Sequence, residues 1–483
     1  MWFDIWREAS FTFGDSVYYQ SNARIDLILV LSALILLYFK CKHGASSPPL
    51  CGRWIPWFGC AIHMGKQPLR FIRRKSRKFG PIFTLYCAGE RLTFLTDPQD
   101  FHYFFNNPDL DFQEAVQVPV QKLASISREE FYKFHTKLHD MVKGRLAPIK
   151  IGQLGNTLSE QLNRQFDRHV DLKGPQDLMV ITQRCMYASV LNTIFGDGNP
   201  LVNDQADYEE FLKQFKIFDE DFEYGVKLPS VFLPKWSAAK RYFLTRIEVT
   251  FKKMKGQHTQ SEKLNMVNAL LEKLDGDKVT HKFGMLVMFA SIANAVPAAY
   301  WMLTYILTNE NVQKKVLAEL NDVFKDFKGK NGSCIKEADL KKLKYLHCCV
   351  YETIRIRSEG IIGRKVVRDT KIKGFHVAAG SMLMISPYLT HRDERYFEDP
   401  EVFKPERWAD GNFEKPGFVA FGGGRYQCPG RWFGMMSMQT FVTMFFLKYT
   451  FKVHSLAPIP NMSHLIGVQH PLSEFLVSCS ERK

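Results

Sequence analysis

The chain has 483 residues, 46% of them apolar, and a formal net charge of +15 at pH 7. Ten cysteines with no close pairing beyond Cys348-Cys349 argue against a disulfide scaffold and for a reducing, cytosolic setting, while 40 phenylalanines suit a large, roomy apolar interior. The positive balance comes with no nucleic-acid-binding motif, so nucleic acid is set aside in favour of anionic lipid headgroups or an acidic protein partner.

Taken in order, residues 1–24 are mixed in character. Leu27 to Phe39 is apolar except for Ser32, and we read one membrane anchor at about 25–39, within an N-terminal segment 1–45. Such a run reaches roughly 20 Å, short of the roughly 30 Å hydrocarbon core, but Arg24 and Lys40 can snorkel and Tyr38 can sit at the interface. A cleaved signal peptide and a buried core helix are the competing readings. Lys40, Lys42 and Arg53 follow the run, which places the body, residues 46–483, in the cytosol. Ser46-Ser47-Pro48-Pro49 is a stiff connection between anchor and body.

Pro68 to Lys78 reads as a helix with a basic face of Arg70, Arg73, Arg74, Lys75, Arg77 and Lys78, either solvated or against a membrane surface. Pro81–Tyr86 and Arg91–Thr96 form a hairpin about Ala88-Gly89-Glu90. Residues 106–127 lack periodicity and are expected to be a loop. Helical patterns fill Arg128 to Leu274, broken near Gly174-Pro175, Gly196–Pro200 and Leu228–Pro234. Phe283 to Thr308 is a helix apolar almost all round, which belongs in a core. Pro297 inside it should kink it near Ala293-Asn294. The Asn294 amide either holds a water there or satisfies the kinked backbone.

Lys342 to Arg357 is a further helix with Glu352 and Arg355 three apart on one face. Ile361 to Lys371 and Lys373 to Pro387 read as two strands joined at Gly374. Phe403-Lys-Pro-Glu-Arg-Trp408 follows. Phe421-Gly-Gly-Gly-Arg-Tyr-Gln-Cys428-Pro-Gly430 then leads three glycines into one cysteine and an apolar helix from Trp432 to Leu447. The glycines permit close approach to a large flat ligand. Pro429 suits the first helical position. Cys428 then sits at the positive end of a helix dipole, which favours thiolate. A buried cysteine in a glycine-rich turn is the plainer reading.

The Phe421–Gly430 loop resembles the haem-binding signature of the cytochromes P-450, and the companion motifs extend the resemblance over about residues 46–483. It implies a mainly α fold with small β-sheets, with haem between the long central helix and the cysteine loop, and residues 46–483 as a haem-thiolate catalytic domain. It implies haem b with Cys428 as the axial iron ligand and Phe421 in the cofactor-binding loop. Arg364 would contact a haem propionate, the alternative being an edge-strand arginine in solvent. Glu352, Arg355 and Arg407 match a buried trio that braces the haem loop, and His391-Arg392-Asp393 fits the same pattern. The loop expected at 106–127 would be a substrate lid.

Three positions depart from the superfamily pattern. The basic residue two before the cysteine is replaced by Tyr426. The acid–threonine pair of the central helix is replaced by Ala293 and Asn294, which leaves Asn294 as the candidate catalytic residue. The Trp-and-Arg pair near 128–142 is absent, so no propionate partner is named there. The first two traits resemble the sterol 7α-hydroxylase, sterol 12α-hydroxylase and prostacyclin synthase group. Trp54-Ile-Pro-Trp57, Phe218–Gly225, Asn294–Pro297 and Cys428–Phe433 are similar to its oxysterol 7α-hydroxylases. That resemblance implies a single-pass endoplasmic-reticulum membrane monooxygenase with a cytosolic catalytic domain. It would take NADPH electrons from NADPH–cytochrome P-450 reductase, docked near Arg425 and Arg431, and hydroxylate an oxysterol, 24-hydroxycholesterol, at 7α. A haem-thiolate isomerase of the prostacyclin synthase type, another sterol 7α/12α-hydroxylase, and a sterol- or haem-binding protein without turnover are the alternatives.

Overall fold

The computed structural model describes residues 29–33, 46–52, 57–255, 266–274, 277–325, 335–463 and 465–482. Most of the predicted anchor, and most of the Trp54–Trp57 run, lie outside these. Of the anchor, residues 29–33 are helical, and Leu29, Val30 and Leu31 are exposed.

Helices dominate. The principal ones are α1 (Pro68–Phe79), α2 (Phe112–Ala124), α3 (Arg128–Arg145), α4 (Pro148–His169), α5 (Leu178–Phe195), α6 (Gln205–Glu220), α7 (Pro234–Met254), α8 (Asp277–Ile292), α9 (Ala295–Thr308), α10 (Lys344–Arg357) and α11 (Arg431–Lys448). Their starts follow local chemistry. Proline occupies the first turn of α1, α4 and α7, where its missing N–H costs nothing. Ser127 caps α3 in a reciprocal box with Glu130, and Asp177 and Asp204 cap α5 and α6.

The small sheets hold the chain's edges. β1 (Leu50–Cys51), β2 (Ile82–Cys87), β3 (Glu90–Leu95), β4 (Leu110–Asp111), β6 (Ile362–Val366) and β9 (Met382–Ile385) form one sheet in the order β1-β2-β3-β9-β6-β4. The expected hairpin is β2 against β3, antiparallel, with Ile82 opposite Leu95. Phe83 lies opposite Phe94, and their rings stack at 5.4 Å. β5 (Gln176–Asp177), β10 (Tyr449–Val453) and β11 (Leu476–Glu481) form a second sheet.

Two expectations about strands and loops change. The two long strands of 361–387 are four short ones, because β7 (Thr370–Ile372) and β8 (Phe375–Val377) peel away as a separate hairpin. Lys373 and Gly374, both at positive φ, make its two-residue turn. The loop expected over 106–127 is largely α2. Asp111 caps it by accepting the Glu114 N–H at 2.8 Å, and α2 packs on β6. Pro119 within it masked the helical pattern in the sequence.

The long apolar helix is interrupted where the sequence suggested a kink. α8 ends at Ile292, Ala293 and Asn294 form a turn, and α9 begins at Ala295. Pro297 has no N–H to return to the Ala293 carbonyl, so the helix restarts with proline in its first turn. Among the described residues, Lys278–Thr308 is the one stretch long and apolar enough to cross a membrane, but most of it is buried in the helical core. α9 packs directly against α11 and α10, which places the break and the cysteine loop on one connected scaffold.

Candidate functional site

The site is built on a buried carboxylate. Glu352 and Arg355, one turn apart on α10, are both 0% exposed. Arg355 donates to Glu352 through Nε (2.9 Å) and Nη2 (2.8 Å). Arg407 Nε (2.9 Å), Trp408 Nε1 (2.9 Å) and the Lys404 N–H (3.0 Å) donate to the same carboxylate. Glu352 is therefore saturated by charge-assisted hydrogen bonds, the condition under which a buried ion is tolerated. The expected trio is present, with Trp408 as a member that spacing did not disclose.

From this knot one histidine reaches the cysteine loop. Arg355 Nη1 donates to the His391 carbonyl at 2.6 Å. The His391 ring takes the Val419 N–H at Nε2 (3.1 Å), so its Nδ1 carries the proton given to the Arg355 carbonyl at 2.8 Å. Val419 stands two residues before Phe421, whose carbonyl accepts the Cys428 N–H at 2.9 Å. Glu352, Arg355, His391, Val419 and Phe421 thus form a continuous brace ending at the cysteine.

The loop turns through Gly422 and Gly424, at φ +68° and +66°, a region barred to most side chains. A Cβ on Gly423 would meet the Phe105 ring at 3.0 Å. α11 starts at Arg431, with Gly430 as its cap, so Pro429 lies before the helix and not at its first position. The helix end also does not make Cys428 acidic. Burial pushes the thiol up, and the backbone N–H groups of Gly430 and Arg431 with the Arg431 charge only partly offset this. Without a metal cation, desolvation outweighs the dipole.

Arg364, on β6, is not a solvent arginine. It is 6% exposed, gives Nη1 to the Gly363 carbonyl at 3.0 Å, and lies over the rings of Phe112 (4.6 Å) and Phe104 (5.0 Å). Among the described residues no carboxylate pairs with it. Burial lowers its pKa to about 10, with Asp111 and Tyr426 opposing at a distance. Phe112 in turn stacks on Tyr426 at 4.7 Å. His135 of α3 stacks on Phe131 at 4.6 Å and lies 6.4 Å from the Tyr426 ring, and Gln113 contacts its Nδ1 at 3.4 Å. His139, one turn on, reaches the Gln427 carbonyl at 3.3 Å. A buried guanidinium, a phenol and an imidazole therefore converge beside the cysteine loop.

Asn294 caps the break. Its Oδ1 accepts the Val468 N–H at 3.1 Å, so it satisfies a loop remote in sequence and not the kinked helix itself. A Cβ on Gly467 would collide with that oxygen, which explains glycine there. Asn294 and Ala290, four residues apart on one helical face, are exposed although Ile292, Ala293 and Val296 around them are buried. The face is open enough to admit a ligand beside an amide whose nitrogen, among the described residues, donates to no protein acceptor. The acidic run Phe218–Gly225, at and just beyond the end of α6, also has a structural use. Asp219 pairs with His470 at 3.3 Å, and Glu223 accepts the Leu465 (2.5 Å) and Ile466 (3.0 Å) N–H groups.

A family model for cytochrome P450 matches residues 49–477. The chain belongs to the cytochrome P450 family. It is 35% identical over 463 residues to a Mus musculus protein named 24-hydroxycholesterol 7-alpha-hydroxylase, covering 94% of this chain and 97% of that protein. The Homo sapiens protein of the same name is 34% identical over 466 residues, covering 94% and 98%. In structure, the P450 resembles the retinoic acid bound cyanobacterial CYP120A1, with TM-score 0.72 at 17% identity over 91% of this chain and 100% of that one. The mainly α fold with small sheets is thereby the P450 fold.

The residues present fit the haem that the family implies. A porphyrin brings two carboxylates, and Arg364 is a buried cation without one. A porphyrin iron also supplies the positive charge that the Cys428 thiol lacks for ionisation. Sequence reasoning missed His135, Tyr426 as its neighbour, and Val419. In this P450, Phe131 and His135 sit four apart on α3, a spacing that carries a signal only once α3 is seen beside the loop.

Three histidines of this scaffold are held neutral. Burial, then His139, lowers His135 to about 4. Burial, then Arg184 and Arg168, lowers His169 to about 4. Burial, then Arg355 and Arg392, puts His391 well below its usual range. Unfolding lets each bind a proton below about 6.5. Their contribution is intact above that pH and is lost as pH falls below it, towards about 4 for His135 and His169. The loss is at most about 1.4 kcal/mol per pH unit for buried His391, and less for the partly exposed other two. Thermal melts across this window should show a falling midpoint, and a flat profile would contradict the neutral assignments.

Proposed function

We propose that this P450 is a membrane-bound sterol monooxygenase that hydroxylates an oxysterol, 24-hydroxycholesterol, at the 7α position, in cholesterol catabolism. The observation that carries the reading is the 34–35% identity, along nearly the whole of both chains, to two proteins bearing that activity in their names. In this reading residues 25–39 anchor the chain in the endoplasmic-reticulum membrane and residues 46–483 form the cytosolic catalytic domain. NADPH electrons come from a flavoprotein reductase on the face carrying Arg425 and Arg431.

Cys428 would ligate the haem iron, Phe421 would pack at the loop entrance, and Arg364 with Tyr426 and His135 would receive the propionates. Bound there, haem b supplies oxygen activation, with the thiolate donating electron density to favour O–O cleavage. The protein's own part is to seat the sterol against Ala290 and Asn294 and to hold a proton-donating group near them. The Asn294 nitrogen can donate a hydrogen bond but cannot release a proton, so a water held on it would be the donor.

The test is to incubate the protein with reductase, NADPH and a panel of oxysterols, and to identify products by mass spectrometry. A 7α-hydroxylated product with matching NADPH consumption supports the reading. A rearranged product formed without NADPH would instead identify an isomerase of the prostacyclin synthase type, a reading that the absent acid–threonine pair leaves open. Asn294→Ala should leave haem bound and slow turnover on the order of ten-fold, the equivalent of one lost hydrogen bond in the transition state. Asn294→Asp keeps the acceptor for Val468. An unchanged Asn294→Ala rate would reduce the amide to a tie for the Val468 loop.

A further inference from the structure

α1 carries six cations, Arg70, Arg73, Arg74, Lys75, Arg77 and Lys78, and no acid. Arg70, Arg73, Arg74 and Arg77 recur at the spacing of one helical face and line a cavity of about 660 Å³. Like charges at this spacing destabilise a helix. Arg73 has partial relief from Glu401 at 3.3 Å, but Glu401 also holds the buried Arg392 at 3.1 Å. Among the described residues, no carboxylate pairs with Arg70, Arg74 or Arg77. The cavity is thus a concentration of guanidinium forks without a matching anion.

The opposite wall is aliphatic. Ile459 and Met462 line it, and Ile459 is 67% exposed. On the same loop Leu456 is 90% and Leu472 63% exposed, and the Leu472 N–H meets the Ile459 carbonyl at 2.8 Å. Glu223, which holds the Leu465 and Ile466 N–H groups, precedes a connection whose Leu228, Val231 and Phe232 are also exposed. Exposed aliphatics beside unpaired arginines are the pattern of a surface that meets a bilayer, with apolar tips below the headgroups and cations among them.

We propose that the arginine cavity binds the phosphate of an anionic phospholipid, so that α1 and the Leu456–Leu472 loop seat the catalytic domain on the membrane in one orientation. This rests on the membrane-bound reading above and adds a headgroup specificity to it. Guanidinium forks pair with phosphate oxygens two at a time, which an ammonium does not do. A bilayer is favoured over an acidic protein surface because the cations share their cavity with bare aliphatic side chains.

The test uses the full chain, haem-loaded, in vesicles of phosphatidylcholine alone and of phosphatidylcholine with phosphatidylserine. Each set carries a photoactivatable analogue of one of the two lipids, and cross-links are mapped by mass spectrometry. Label from the anionic analogue should concentrate on α1, while the neutral analogue labels the Ile459 loop. Single replacements Arg70→Gln, Arg74→Gln and Arg77→Gln should each lower the anionic label on the order of five-fold. The reduced carbon-monoxide spectrum should be unchanged, because among the described residues no hydrogen bond or ion pair joins Arg70, Arg74 or Arg77 to the brace. Equal labelling of α1 by both analogues, or anionic label indifferent to the replacements, overturns the proposal while leaving membrane binding intact. Protein that stays in the supernatant with both vesicles overturns both. Label on α1 removed by the reductase but insensitive to lipid charge would assign the cavity to a protein partner and overturn the lipid proposal.

Discussion

Cys428→Ala should abolish the thiolate signature of the reduced carbon-monoxide complex and all turnover, while the protein still folds. Among the described residues the sulfur meets only the backbone N–H groups of Gly430 and Arg431, at the start of α11. Its backbone N–H, which closes the loop onto the Phe421 carbonyl at 2.9 Å, survives the substitution. The glycine turns at 422 and 424 survive too. What disappears is the sulfur. In the bare protein burial keeps it a thiol, so its ionisation depends on the cation placed against it. The variant's melting midpoint should lie near that of the metal-free parent. Retained turnover with a thiolate-type spectrum would mean that another side chain holds the iron.

Glu352→Ala should be the most destabilising single change in the scaffold. Arg355 is fully buried and the Arg407 side chain is nearly so, and both lose the one carboxylate that pairs with them among the described residues. Breaking a buried ion pair from one side costs about 3–5 kcal/mol, against a typical total of about 5–15 kcal/mol. Trp408 Nε1 and the Lys404 N–H lose an acceptor as well. Because Arg355 positions His391, and His391 holds Val419, the damage should reach the cysteine loop. Expression should fall, and recovered protein should hold haem poorly. Lys404→Ala is the control. Only its backbone touches Glu352, while its ammonium pairs with exposed Glu398, so its effect should stay within about 0.5 kcal/mol. Equal losses in the two variants, measured by urea titration and haem content, would remove the brace as an explanation.

Elements whose information is local were legible from residues alone. Glu352 and Arg355 share a helical face by spacing, Pro297 interrupts a helix by its missing N–H, and Gly89 and Gly374 mark turns. α2 was not legible, because Pro119 breaks its pattern and its stability comes from packing on β6. The expectation that the helix end by itself favours the Cys428 thiolate is offset for a related reason. A helix end can be read from the sequence, but burial cannot, and burial wins by removing the water that stabilises the anion.

The ordering of residues along the chain determined the cysteine loop, the Glu352/Arg355 pair and the broken central helix, because each depends on the geometry of a few neighbours, whereas Arg407 joins that pair from 55 residues away. Tertiary structure alone decided that His391 carries the brace to Val419 and that Arg364, Tyr426 and His135 meet. It also decided that Asn294 serves Val468, 174 residues away. Those partners are joined by burial and hydrogen bonding between separate stretches of the chain, and no local periodicity encodes which distant donor meets which acceptor once water is excluded.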